Sequence, residues 1–103
     1  MNHRIVRTDK FNDQLNGIIE YIASDSGDID TALRYLDTVE AAVMRLRDFP
    51  ESGSIPRYSL LKRQGYRVLI VERHLVFYKP DKDNQLVTLY AIVDGRREYV
   101  ALV

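Results

Sequence analysis

The sequence has 103 residues, 46% apolar and 29% charged, with fifteen Lys+Arg balanced by fifteen Asp+Glu. That length suits one domain, 1–103, with a core of its own. The absence of cysteine excludes disulfides, thiolate metal sites and thiol nucleophiles, and zero net charge argues against a generally basic nucleic-acid coat.

Residues 1–55 carry six basic and ten acidic side chains, a net of −4, whereas residues 56–103 carry nine and five, a net of +4. Such asymmetry suggests that the second half meets something anionic. No apolar run approaches the roughly 20 residues of a membrane-spanning helix. Met1 to Lys10 lacks the hydrophobic block of a secretory signal. A cytoplasmic protein with no membrane contact is the expectation.

In chain order, Ile5-Val6 marks a short first strand. Thr8 can cap a following helix by accepting a free backbone N–H, and Asp9 suits its positive start. Phe11, Leu15, Ile18 and Ile22 then form one apolar stripe that stops at Ser24-Asp25-Ser26-Gly27. A second helix opens at Asp28 and runs to about Arg47. Its stripe is Ala32, Leu36, Val39, Val43 and Leu46, thickened by Ile29, Leu33 and Ala42. Pro50 prevents continuation, and Glu51 to Pro56 reads as a loop. The short link between the two helices predicts an antiparallel hairpin whose stripes need a covering surface.

That surface is supplied by three runs rich in β-branched and aromatic residues: Tyr66 to Val71, His74 to Tyr78, and Leu86 to Val93. Glu72-Arg73 and Pro80 to Gln85 connect them as hairpins. The predicted fold is therefore α+β. An N-terminal antiparallel two-helix hairpin packs on a small, mainly antiparallel, twisted sheet of 3–4 strands.

Gly-rich phosphate loops, HExxH and GxSxG are all absent, and the two histidines, His3 and His74, lie 71 positions apart. Neither a metal nor a cofactor is expected. Arg67 lies in an otherwise apolar strand, and its planar, permanently charged fork suits phosphate or carboxylate. Asp94-Gly95-Arg96-Arg97-Glu98-Tyr99 delivers two more guanidiniums and a phenol after the last strand. Arg67 and Arg97 could converge on one anion, or Arg67 could pair with Glu72 or Glu98. His74 could act as acid or base near neutral pH, or be an ordinary strand-end residue bonded to backbone. Tyr66, Tyr78, Tyr90 and Tyr99 could stack on bases or fill half-buried sheet positions. Lys62-Arg63 reads as a solvated loop.

Several fragments, in this order and spacing, resemble the RelE/ParE superfamily of toxins from type II toxin–antitoxin modules. They are Tyr21-Ile22-Ala23, Ala32 to Asp37, Leu46-Arg47-Asp48-Phe49-Pro50-Glu51-Ser52-Gly53, Tyr66-Arg67-Val68, His74 to Tyr78 and Ile92 to Tyr99. The resemblance implies the same helical hairpin on a sheet. It also implies a cognate antitoxin that wraps the toxin, with operator DNA met only through that antitoxin. ParE-like members of the superfamily poison DNA gyrase, whereas RelE-like members cut ribosome-bound mRNA without a metal. In the RelE-like reaction basic side chains hold the phosphate, the role implied for Arg67 and Arg97. Tyr58 and Leu60 stand where RelE-like toxins carry lysines, and the position of their C-terminal tyrosine falls at or beyond Val103. Tyr99 or His74 would then have to supply the acid or base. The long hairpin and the Phe49–Gly53 turn are more similar to ParE-type members. The expectation is therefore a gyrase-directed toxin, with the ribonuclease as the alternative.

Overall fold

The computed structural model describes residues 2–95. Strand β1 spans Arg4–Arg7, helix α1 Asp9–Ser26 and helix α2 Ile29–Met44. A 3-10 turn, Arg45–Arg47, extends α2, and the short helix α3 is Ser59–Arg63. Strands β2 (Arg67–Val71), β3 (His74–Asp81) and β4 (Leu86–Asp94) complete the order. Two helices thus pack on a four-stranded sheet ordered β1-β4-β3-β2. The β2–β3 and β3–β4 pairs are antiparallel, as the hairpin connections require, while β1 runs parallel to β4.

The helix ends follow from their capping residues. The Thr8 hydroxyl accepts the Phe11 N–H at 3.1 Å and donates to the Leu89 carbonyl at 3.0 Å, so one side chain both starts α1 and ties it to β4. At the far end Gly27 takes φ 69°, a left-handed angle that costs a side-chain-bearing residue more, and its N–H bonds Ala23 O. Asp28 then caps α2 through the Asp30 N–H at 3.0 Å.

The helical stripes meet the sheet in one core that includes Phe11, Leu15, Val39, Val43, Val76 and Leu89. Ile29 and Leu33, expected in the α2 stripe, are 66% and 47% exposed. They sit in the first turns of α2, and the sheet contacts of this helix come from positions further along it. The opposite sheet face is apolar as well. Leu61, Tyr66, Val68, Phe77, Ala91 and Val93 cluster there, which corrects the loop reading of Lys62-Arg63. Those two residues close α3, whose Leu61 anchors the helix to the sheet. A five-residue helix with one buried side chain is too short for periodicity to reveal.

Two irregularities shape the functional end. Phe77 pairs Ala91 while Tyr78 pairs Leu89, so Tyr90 is an extra residue and β4 carries a bulge. The β1 ladder ends with Arg7 opposite Leu89, so β1 does not cover the stretch of β4 beyond the bulge. Pro80 is tolerated in β3 because it lies beyond Tyr78, where pairing with β2 has ended.

Candidate functional site

Arg67 opens β2 with its guanidinium turned back onto the loop that links the helices to the sheet. Its Nη1 donates to the carbonyls of Glu51 at 3.0 Å and Gly53 at 2.8 Å. The expected partner Glu72 is not used, and Glu98 lies outside the described residues. The same loop is held twice more. Ser54 and Val68 exchange two backbone hydrogen bonds of 2.8 Å, and the Gly53 N–H donates to the buried Tyr78 hydroxyl at 2.9 Å. Burial pushes the Tyr78 phenol up from its ordinary pKa, so at neutral pH the hydroxyl stays protonated.

His74 sits at the other end of the sheet. Arg67 is opposite Tyr78 and His74 is opposite Val71, so four strand positions, roughly 13 Å, separate their backbones. His74 is 9% exposed, and its Nδ1 lies 2.5 Å from the Tyr35 hydroxyl, which donates to Val71 O at 3.3 Å. Burial lowers the His74 pKa; Asp94 and Glu72 oppose that shift and Arg73 adds to it. Burial, reinforced by Glu72, pushes Tyr35 up to about 12. Both rings are therefore neutral at physiological pH.

The sign of the pH effect follows from linkage. The unfolded chain takes up the His74 proton near its ordinary pKa, before the folded one does. Stability contributed by this group is full above about pH 6.5 and is lost as pH falls through the lower folded value. Urea unfolding between pH 7 and 5 should show this acid loss in the wild type and a smaller one in His74→Gln. Identical slopes would contradict it.

His74 and Tyr35 form one wall of a cleft of about 680 Å3. The α1 side chains Gln14, Ile18 and Tyr21 form the other wall, with Gly17 leaving a gap between them and Ile92 along the base. Glu72, Arg73 and Asp94 charge one end. The Ile92 N–H on β4, beyond the reach of β1, is capped by Gln14 Oε1 at 2.9 Å. The cleft therefore combines an apolar trough with strand backbone that β1 leaves uncovered, a geometry suited to a protein segment. Sequence reasoning missed it. The available signal was Gln14, Gly17, Ile18 and Tyr21 at helical spacing on one face of α1.

The remaining aromatic candidates separate clearly. Tyr78 is fully buried in the main core, so its ring is closed to any base. Tyr66 and Tyr90 meet edge to face, with ring centroids 5.4 Å apart, and Lys79 Nζ lies 4.5 Å from the Tyr66 ring. Arg97 and Tyr99 lie outside the described residues. Among the described residues no group of three or more His, Asp and Glu side chains is placed to hold a metal ion, and no helix is long and apolar enough to cross a membrane.

Solved structures share this architecture. A chain of the chromosomal ParDE toxin–antitoxin system from P. aeruginosa is similar with a TM-score of 0.73 at 16% identity, over 89% of this chain and 95% of that one. A chain of the RelBE2 toxin–antitoxin complex from Mycobacterium tuberculosis matches with a TM-score of 0.62 at 16% identity, over 91% and 99%. No curated protein sequence matches significantly. The fold is thus that of the RelE/ParE toxins. Residues 5–99 match the family described as "ParE toxin of type II toxin-antitoxin system, parDE". The chain belongs to that family.

Proposed function

We propose that this toxin arrests growth by binding DNA gyrase, and that a cognate antitoxin silences it by filling the cleft between α1 and the end of β4. The observation that carries the gyrase reading is the position of Arg67. A ribonuclease would need that guanidinium directed at a phosphate, together with an acid or base nearby. Here Nη1 bonds two carbonyls of its own loop, and His74 faces Tyr35 at the opposite end of the sheet. Zero net charge also favours a protein target over a ribosome, where many phosphates would need neutralising. One structural relative comes from a ParDE toxin–antitoxin system, which supports an antitoxin partner here.

Purified protein added to gyrase should block supercoiling and trap cleaved DNA, while mRNA ends mapped after induction in cells stay unchanged. Arg67→Ala should destabilise the fold by about 2 kcal/mol, the scale of lost charge-assisted hydrogen bonds. It should nevertheless leave inhibition per folded molecule within a few fold. Unchanged supercoiling, with new internal mRNA ends that Arg67→Ala lowers about 10²-fold, would instead establish the ribonuclease.

A further inference from the structure

We infer that the start of β1 and the end of α2 form a dock for an acidic peptide segment carrying one apolar anchor residue. A dent of about 350 Å3 lies there, lined by Asn2, His3, Arg4, Ile5, Met44 and Arg47. The His3 N–H donates to Arg47 O at 2.7 Å and stitches the two elements together. Ile5 and Met44 make an apolar pocket between Arg4 and Arg47.

These two arginines differ from the others near the core. Arg7 is paired with Glu40, and Arg67 bonds loop carbonyls. Among the described residues, neither Arg4 nor Arg47 has a side-chain hydrogen bond or ion pair. Asp81, whose charge reaches His3, does not line the dent and is held by Asn84. Its carboxylate accepts from Asn84 Nδ2 at 2.8 Å and from the Asn84 N–H at 3.2 Å, which hold it below the usual carboxylate range. Two unneutralised forks thus flank an apolar dent. The complementary ligand has carboxylates on either side of an aliphatic side chain, each able to meet one guanidinium.

A second observation marks the same place. His3 is only 9% exposed, and its Nδ1 is a buried polar atom without a hydrogen-bond partner. Such atoms are uncommon in native interiors, because losing water without replacement is costly. Met44 is 45% exposed, unbranched and adaptable, and its displacement would open the ring to an incoming carboxylate. Nine helical positions, roughly 14 Å along the α2 axis, separate Met44 from Tyr35. The dock is therefore distinct from the cleft and does not depend on what fills it.

The test uses the whole protein and a fluorescein-labelled peptide, Glu-Glu-Leu-Glu-Glu, followed by anisotropy and by amide shifts in NMR. Binding should shift His3, Arg4, Ile5 and Arg47, weaken steeply with salt and vanish for the lysine counterpart. The double variant Arg4→Gln, Arg47→Gln should bind at least 10-fold more weakly, whereas Arg34→Gln, at an exposed α2 position, should bind as the wild type does. Met44→Ala should weaken the leucine peptide more than its glycine analogue. No binding at millimolar peptide, or binding unaffected by the double variant, would overturn the proposal. So would inorganic phosphate giving the same shifts as tightly as the peptide, because the apolar anchor would then contribute nothing.

Discussion

Gly53→Ala is expected to destabilise this protein by about 3–4 kcal/mol, combining an overpacked contact with the loss of a buried hydrogen bond. A β-carbon at this position would lie 2.6 Å from Tyr78 Oη and 2.8 Å from Val68 O, distances that atoms of real side chains do not adopt. Neither neighbour can yield. Tyr78 is fully buried, and the Val68 carbonyl is held by the Ser54 N–H. The loop must therefore lift off β2, losing the Gly53–Tyr78 bond and the carbonyls that Arg67 grips. Tyr78→Phe should cost about 1–2 kcal/mol, because it removes the hydroxyl that serves the Gly53 N–H and the Ser52 side chain. Removing the hydroxyl also removes the closest clash, so the double variant should cost less than the sum of the two single changes. Urea unfolding of the four proteins checks this. Strict additivity, or a Gly53→Ala loss below about 1 kcal/mol, would contradict the latch.

Gly17→Trp should weaken binding of the cognate antitoxin at least 100-fold, about 2.7 kcal/mol, without loss of stability. Gly17 lies mid-helix on the wall of the cleft, and a β-carbon there would meet nothing within 4 Å. An indole can therefore be added without disturbing the core, and it would project into the trough beside Ile18 and Tyr21. Gly17→Ala provides the control. It should stabilise the protein by about 1 kcal/mol, the usual gain from replacing an interior helical glycine, and leave affinity nearly unchanged. Calorimetric titration and thermal melts read both effects. Antitoxin binding to Gly17→Trp within threefold of wild type would mean the antitoxin docks elsewhere.

Much of the fold was legible because its signals are local. Thr8 and Asp28 cap the helices as their chemistry suggests, and Gly27 ends α1 where a left-handed angle is needed. The three runs rich in β-branched and aromatic residues became β2, β3 and β4 in antiparallel order. The parallel partner of β1 could not be read, because pairing across the length of a chain leaves no mark in a four-residue strand. Nor could the bulge at Tyr90, which depends on the register of two strands at once. Arg67 is visible in the sequence as a charge in an apolar strand, but the orientation of its side chain depends on a loop 14 to 16 positions away. Tyr35 was quoted only as part of a helical fragment, and its contact with His74 spans 39 positions.

The parallel pairing of β1 has a consequence for biosynthesis. Arg4 joins Leu86, so eighty-two positions must be translated before the first strand finds its neighbour. At roughly 5–20 residues per second, that interval is on the order of 4–16 seconds. Through it the helical hairpin can close on itself, but Phe11, Leu15 and Val39 have no sheet to cover them. The wall formed by Ile92 and Asp94 is also translated after both helices. The covered core and the cleft beside it are therefore completed only once β4 has been translated.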